Sequence, residues 1–315
     1  MATPTTAHST LSPSSNRQGA ATQLRQFKIT DIPAAMDKMN WPVAAALMRH
    51  WFQGDPWPTA DGGMSREVKS HNAWPNTQYI EESIVRMSWV LCFERAQAAV
   101  TELRKNWNNE KAIPFIHRNI LREFRDKETG SYRFSFPTAS AAEKFGYFNY
   151  RKVTFAQVGD DEINELRGAL ANFKMRVIAE GTISTSKENI NFTAQRLGFY
   201  IEDSYDFNDG DDWISQPLGF WSFDGMARSA AEAALTNTGV DQSSIGIAQA
   251  SIFGMSEEMQ KAYVDLNNSR YFLVQNSHFI KYREKHHKGG DFRIFSDIHY
   301  ENLPYAVTIN IPKQP

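Results

Sequence analysis

The sequence predicts an α+β fold, with a helical first half and a strand-rich second half. Before residue 140, apolar residues recur at helical spacing. Beyond residue 141, aromatic and β-branched runs alternate in part with polar residues. Helices followed by strands are typical of α+β proteins. We therefore expect a disordered tail over residues 1–25, a helical region over 26–140 and an α+β domain over 141–315.

Three helices are predicted in the helical region. Proline suits the first helical position, so one helix should begin at Pro42 and end near Gly54. The segment Gln78–Trp107 has no internal Gly or Pro, and its middle is apolar on nearly all sides. This pattern predicts one long core helix. A third helix is expected over Pro114–Phe124, where apolar residues follow helical spacing.

A β-hairpin is the main element expected in the second half. The segments Phe173–Ile183 and Ile190–Ile201 alternate in part, and a polar turn connects them. A strand over Phe148–Phe155 and a short helix over Ile163–Leu170 should precede this hairpin. The elements expected after it are helices over Gly225–Leu235, Ser256–Leu266 and Ser277–His287, and strands over Tyr271–Val274 and Phe292–Phe295.

The composition excludes some classes of protein. The chain has 315 residues, of which 41% are hydrophobic, and this is enough for a sizeable core. A net charge of −2 without a basic stripe argues against a nucleic-acid partner. The single cysteine, Cys92, excludes an internal disulfide, and its place in the apolar run Ile84–Phe93 predicts a buried structural thiol.

The N-terminus bears on where the protein is made. Residues 1–21 are rich in Ser, Thr, Ala and Pro, and they lack the basic start and apolar core of a secretory signal. The apolar run Ile84–Phe93 is too short to span a membrane and contains Arg86. We therefore expect synthesis in the cytoplasm without a signal peptide.

The segment Ile201–Asp212 carries five aspartates and one glutamate within twelve residues. Carboxylates this close repel, so they must bind a cation, pair with basic groups or shift in pKa. A calcium loop of the EF-hand type would need Gly at its sixth position and Glu at its twelfth. Counted from Asp206, Gly210 is fifth and Pro217 is twelfth. Looser binding of Mg²⁺ by one or two carboxylates remains open, as does a solvated acidic turn.

The order of hairpin and then Asp203-Ser204-Tyr205-Asp206 resembles the active-site region of colicin M-type bacteriocins. That family cleaves the lipid-linked peptidoglycan precursor lipid II in the periplasm with a divalent metal. The resemblance covers roughly residues 173–210 and implies a colicin M-like antiparallel sheet in the C-terminal half. It also implies catalytic roles for Asp203, Tyr205 and Asp206, with Asp203 and Asp206 as ligands of Mg²⁺. In a purely structural alternative, Tyr205 and Phe207 anchor the core and the two aspartates cap turns.

The basic segment Asn276–Asp291 is the candidate partner of the acidic one. No histidine occurs between His117 and His278, so the His-Arg pair that the resemblance implies must come from elsewhere in the chain. A helix here would give Arg283 and His286 or His287 as complements to the acidic segment. The alternative is a solvated basic helix capped by Gly289. A zinc site is less favoured, because adjacent histidines point in different directions.

The second half also resembles an uncharacterised proteobacterial family met near type VI secretion genes. The shared features are the Asp-x-Tyr-Asp-Phe-Asn segment, Pro217–Trp221 and a late Asn276…Arg283…Gly289-Gly290-Asp291 pattern. We therefore predict an antibacterial effector that hydrolyses a lipid-linked substrate at the membrane surface of the target-cell periplasm. A secretion-machinery protein and a cognate immunity protein are the implied partners. The alternative is a non-enzymatic adaptor or accessory protein of a secretion apparatus.

Overall fold

Two long antiparallel strands, β4 (Phe173–Thr185) and β5 (Asn189–Tyr205), form the centre of the fold. They are seen in a computed structural model that describes residues 25–155, 163–208, 217–229, 232–238, 265–266 and 268–313. Backbone pairing joins the two strands over almost their full length, from Lys174 opposite Glu202 to Thr185 opposite Ile190. The predicted hairpin is confirmed and is longer than expected.

Further strands flank this hairpin on both sides to make a seven-stranded sheet in the order β1-β9-β5-β4-β2. In addition, β3 pairs with β4 and β10 pairs with β5. The β1–β9 pair is parallel, and the other pairs are antiparallel. A separate three-stranded sheet has the order β7-β6-β8. The remaining strands are β1 (Ile80–Glu81), β2 (Gly130–Phe134), β3 (Asn149–Val153), β6 (Pro217–Ser222), β7 (Gly225–Met226), β8 (Phe272–Gln275), β9 (Phe292–Phe295) and β10 (His299–Pro312).

The helices lie mainly in the first half of the chain. The labelled helices are α1 (Ile32–Lys38), α2 (Pro42–Gln53), α3 (Arg66–Lys69), α4 (Met87–Val90), α5 (Glu94–Asn106), α6 (Ile113–Phe124), α7 (Ala139–Phe145), α8 (Glu165–Leu170) and α9 (Asn276–His286). The predicted α+β fold, with a helical first half and a strand-rich second half, is therefore confirmed. One buried core draws residues from Ile32 to Ile311, and β2 of the helical half pairs with β4.

The single long helix predicted over Gln78–Trp107 is wrong. The chain forms β1 and then two separate helices, α4 and α5, in this region. The Glu81 carboxylate accepts the backbone N–H of Ile84 at 2.9 Å, and Asp297 accepts that of Met87 at 2.6 Å. These side-chain acceptors satisfy backbone donors that a continuous helix would have bonded internally. Pairing of β1 with β9 then holds the segment extended.

Two other expectations need correction, and two fall on residues that the structure does not describe. A helix was expected from Gly225, but Gly225–Met226 is β7, and among the described residues of that region the helix covers 232–238. The positive φ of 139° at Gly225 suits a turn and not a helix. Cys92 is exposed, since it lies in the turn between α4 and α5. The expected helix Ser256–Leu266 lies outside the described residues except for 265–266, and residues 1–24 of the expected tail also lie outside them.

No helix in the described part of the chain combines the length and the apolar character needed to cross a membrane.

Candidate functional site

The last residues of β5 point alternately to the two faces of the large sheet. Glu202 pairs in register with Lys174 on β4, and Ser204 pairs with Arg293 on β9. Because paired residues share a face, these four side chains lie on one side of the sheet. Asp203 and Tyr205 lie on the other side. The acidic segment therefore supplies carboxylates to two different environments.

Charged side chains converge on Glu202, and we call this group the Glu202 cluster. Its members are His71, Glu143, Lys174, Arg176, Tyr200, Glu202 and Arg293. They come from the loop after α3, from α7 and from strands β4, β5 and β9. Five of the seven are buried, while His71 and Lys174 reach the surface. The cluster is thus a buried polar centre with one open side.

Two buried arginines bridge the carboxylates of the cluster. Arg176 Nη2 lies 2.9 Å from Glu202 Oε2 and 3.1 Å from Glu143 Oε1. Arg293 Nη2 lies 2.5 Å from Glu202 Oε1. Burial alone would raise the pKa of Glu202, but the charges of Arg293 and Arg176 outweigh it and hold that pKa below its ordinary value. Glu202 is therefore ionised at neutral pH.

The pKa of the second carboxylate, Glu143, is shifted in the opposite direction to that of Glu202. It lies on α7, and its Oε2 accepts the Tyr200 hydroxyl at 2.8 Å. Burial raises the pKa of Glu143, Arg176 lowers it, and the negative charge of Glu202 raises it further. The net shift is upward. Burial also raises the pKa of Tyr200 well above its usual range, so this hydroxyl stays protonated and donates.

His71 closes the open side of the cluster. It follows α3 in a left-handed conformation with φ 63°, and 30% of its side chain is exposed. Arg293 Nη2 lies 3.0 Å from its Nδ1, and Lys174 Nζ lies 3.4 Å from its Nε2. Burial lowers the pKa of His71 to about 4, and the nearby Arg293 and Lys174 also lower it, while Glu202 raises it. The imidazole is therefore neutral at pH 7.

Three guanidinium N–H groups in the cluster lack a hydrogen-bond partner within the described residues. They are the Nε of Arg176 and both Nε and Nη1 of Arg293. Aromatic rings cover the guanidinium faces, with Tyr147 3.8 Å from Arg176 and Trp74 5.4 Å from Arg293. Stacking does not satisfy donors that lie in the guanidinium plane. Unsatisfied buried donors cost free energy, most of all when they are charged, so they indicate a place for an acceptor.

On the other face of the sheet, Tyr205 packs against α2, and Asp203 lies on the same face. Burial raises the pKa of Asp203 well above its ordinary value, and the charges of Glu202 and Asp206 add to the effect. The Tyr205 ring stacks on Phe292 at 5.0 Å, and its hydroxyl lies 3.8 Å from Met48 Sδ. Tyr205 is therefore held in the core between β9 and α2.

Asp206 forms a salt bridge with Lys69 of α3. Burial raises the pKa of Asp206, and the charge of Lys69 opposes that rise. Lys69 lies two residues before His71, so this bridge ties the acidic segment to the loop that carries the histidine. Asp203 and Asp206 lie close enough to affect each other electrostatically, and Mg²⁺ binding there remains a prediction.

Arg283 is buried in a second polar centre. Its Nη2 donates to Asp291 Oδ1 at 2.5 Å, and its Nη1 donates to Asn208 Oδ1 at 3.2 Å. Asp291 also accepts from Trp51 Nε1 at 2.9 Å and from the Met64 N–H at 2.9 Å. Arg283 thus comes near the acidic segment through Asn208, two residues beyond Asp206. Through Asn208 and Asp291, Arg283 links α9 to the segment after β5 and to α2.

His286 and His287 are exposed at the end of α9. The His286 ring lies 4.6 Å from the ring of Tyr282. His287 is the helix C-cap, with φ 53°, and its N–H donates to Arg283 O at 2.9 Å. The cap is therefore His287 and not Gly289. Across the described ranges, no ion pair or hydrogen bond joins either histidine to Asp203 or Asp206, and Asp209, Asp211 and Asp212 lie outside those ranges.

A family of unknown function, DUF6402, matches residues 27–311 of the chain. The chain belongs to this family. No curated protein and no solved structure matches this DUF6402 member. The family description does not connect DUF6402 with type VI secretion or with colicin M.

Sequence reasoning missed most of the Glu202 cluster of this DUF6402 protein. Its members come from five segments between residues 71 and 293, and no spacing rule links them. One signal was present, because Arg176 and Arg293 each stand between two apolar residues of a strand segment. Such residues are seldom fully buried unless they are paired. His71 carries no comparable signal, since it lies in a polar loop.

Proposed function

We propose that this DUF6402 protein is a hydrolase of a phosphate ester, with the Glu202 cluster as its reactive centre. One observation carries the proposal: three buried guanidinium donors of Arg176 and Arg293 lack partners beside a neutral histidine and two carboxylates. Guanidinium forks match the oxygens of phosphate in geometry and charge. A phosphoryl group would supply the missing acceptors.

The charge of the cluster favours an anionic substrate. The groups that meet there are the guanidiniums of Arg176 and Arg293, the ammonium of Lys174 and two carboxylates. Positive groups that are already fixed in place stabilise the negative charge that builds on phosphoryl oxygens in the transition state. His71 stands at the open side, where the cluster meets solvent, and can exchange a proton with water.

The acidic segment has a supporting role in this proposal. The Asp206–Lys69 bridge fixes α3, and α3 leads directly into His71. Tyr205 anchors the same segment in the core through Phe292. Asp203, Tyr205 and Asp206 would then position the reactive centre. In this proposal, Arg293 and His71 take the place of the His-Arg pair that the sequence analysis expected from Arg283 and His286.

The biological setting we propose rests on the two sequence resemblances alone. In that setting the protein is an antibacterial effector of the type VI kind, made in the cytoplasm and acting in the target-cell periplasm. Its substrate would be a lipid-linked cell-wall precursor such as lipid II, with Mg²⁺ as the expected ion. A secretion-machinery protein and an immunity protein would be its partners.

The test is periplasmic expression in a sensitive bacterium. We expect wild-type protein to inhibit growth and the variants His71→Ala and Lys174→Ala to lose most of that effect. His286→Ala is the matched control, because His286 is an exposed histidine outside the cluster, and it should inhibit growth as wild type does. If the wild-type protein is well folded and does not inhibit growth, the alternative of a non-enzymatic adaptor is favoured. Equal inhibition by wild type and His71→Ala would rule out the Glu202 cluster as the reactive centre.

A further inference from the structure

A cleft beside α6 is lined mainly by arginines. It has a volume of about 580 Å³, and its lining residues are Arg118, Leu121, Arg122, Arg125 and Asp126. Ligand-binding clefts usually have volumes of about 300–1,000 Å³, so this one has room for a small molecule. Three guanidiniums and one carboxylate give the lining a net charge of +2, whereas the whole chain has a net charge of −2. The cleft is therefore a local positive region that favours an anion.

The periodicity of α6 places the three arginines on one face. They occupy positions i, i+4 and i+7, and Arg125 is the C-cap residue. Basic residues at the end of a helix interact favourably with its dipole, which accounts for Arg122 and Arg125. Arg118 lies in the middle of α6, where a like charge four residues further on is unfavourable. The helix dipole therefore does not account for the whole set.

Two of the three arginines keep their N–H groups available for a ligand. The Arg118 guanidinium lies 4.9 Å from the centre of the Phe115 ring, and 41% of Phe115 is exposed. This contact uses the face of the guanidinium and leaves the donors in its plane unused. Within the described ranges, no ion pair or hydrogen bond involves the guanidinium of Arg118 or of Arg125. Both can therefore bind an anion without giving up a partner.

The other charged residues of the cleft are Arg122 and Asp126. The Arg122 side chain donates to Phe145 O and forms an exposed ion pair with Glu123 at 3.3 Å, so its position is fixed. Asp126 is exposed and repels an anion. One carboxylate reduces the attraction of three guanidiniums but does not cancel it.

The spacing of the arginines indicates the class of ligand. Guanidiniums match phosphate oxygens in geometry and charge. A rise of 1.5 Å per residue separates Arg118 and Arg125 by roughly 10 Å along the helix axis, which is farther than a single phosphate group reaches. We propose that this cleft binds a soluble small molecule that carries two or more phosphate groups. Its concave shape favours such a molecule over a flat lipid surface. The cleft shares no lining residue with the Glu202 cluster, so the proposal does not depend on the proposed hydrolysis.

Calorimetric titration of the full chain with inorganic triphosphate, with inorganic phosphate as the comparison, tests the cleft. We expect triphosphate to bind more tightly than phosphate, with an affinity that falls as salt is raised. Arg118→Gln and Arg125→Gln should each weaken triphosphate binding by about fivefold or more, since each removes a charged donor. The double variant should lose the binding altogether.

The control is Arg86→Gln. Arg86 is an exposed arginine before α4 and outside the cleft, so its removal changes the net charge equally and should leave triphosphate affinity unchanged. Lys174→Ala separates the cleft from the Glu202 cluster, and the binding that depends on Arg118 should persist in it. Circular dichroism of each variant checks that the fold is kept.

Several results would overturn the proposal. Triphosphate binding that persists in the double variant and disappears in Lys174→Ala would belong to the Glu202 cluster. An equal loss in Arg86→Gln would show that only net charge matters. Failure of the folded protein to bind triphosphate would also overturn it, including the case in which the protein binds phosphatidylglycerol vesicles instead.

Discussion

Lys69 and Asp206 form a salt bridge between two segments that are 137 positions apart in the chain. The bridge joins the helical half to the end of the central hairpin. Because it lies beside His71, it links the acidic segment noted in the sequence to the polar centre found in the structure. Both side chains are largely shielded from solvent, with 30% of Lys69 and 18% of Asp206 exposed.

Lys69→Met should lower the free energy of unfolding by about 1–2 kcal/mol, since it leaves the Asp206 carboxylate half-buried without its cation. Urea denaturation of wild type and variant measures the difference. The double variant Lys69→Met/Asp206→Asn should recover part of the loss, because no unpaired charge remains. A double variant that loses the sum of the two single effects would show that the two residues do not interact.

The Arg283–Asp291 pair should contribute far more to stability. Both side chains are buried, and the Asp291 carboxylate accepts hydrogen bonds from four donors on α2, α9 and nearby loops. Asp291→Ala should lower the free energy of unfolding by about 3–5 kcal/mol, because it leaves the buried charge of Arg283 without a partner. Lys288→Ala breaks an exposed pair with Asp55 and should change stability by less than about 1 kcal/mol. Similar losses in both variants would contradict this assignment.

The Arg104–Glu301 pair predicts a pH dependence of stability. The hydrogen bond from Arg104 is the main cause that lowers the pKa of Glu301 below its ordinary value of 4.5. A carboxyl with a depressed folded-state pKa stabilises the protein above its unfolded-state pKa, and this stability is lost as the pH falls through the folded-state value.

Glu301→Gln should therefore be less stable than wild type at pH 7, and the difference should shrink as the pH falls below 4.5 and vanish once it is below the folded-state pKa of Glu301. The pair is partly exposed, so we expect a difference of less than about 1 kcal/mol. Thermal or urea unfolding between pH 7 and pH 3 measures it. Arg104→Gln should abolish the same pH dependence, and a difference that persists at pH 3 would speak against the pair as its source.

Gly289→Ala should be strongly destabilising. Gly289 has φ 102°, and an added Cβ would lie 2.4 Å from a ring carbon of Trp51. Strain and overlap together should cost about 2–4 kcal/mol. Gly130→Ala is the control, because its Cβ would meet nothing closer than 3.8 Å. Chemical denaturation of both variants tests the difference, and equal stability would refute it.

Local patterns in the sequence predicted the elements whose periodicity is undisturbed, such as the central hairpin, α6 and α9. They failed where distant side chains redirect the backbone. Asp297 accepts the N–H of Met87 from 210 positions away and helps to divide the predicted long helix. The sequence did not predict the 14-residue strand β10. This strand contains Pro304, which is tolerated because the pairing with β5 shifts register between Asn302 and Val307.

The candidate site was predictable only in part. The described part of the acidic segment does lie at the end of the hairpin, and Arg283, which was expected near it, hydrogen-bonds to Asn208. The Glu202 cluster was not predictable from one sequence, because its geometry depends on how five separate segments pack. Arginines that stand between apolar residues of a strand are the one pattern in the sequence that points to it.

The alternation of side chains at the end of β5 limits how this part of the chain can change in length. Glu202 faces the polar cluster and Asp203 faces the helices, so one inserted or deleted residue upstream would exchange the two environments. Such a change would place Tyr205 among the arginines and leave Glu202 against α2. Single-residue insertions in β5 should therefore abolish folding, whereas the turn between β4 and β5 should accept them.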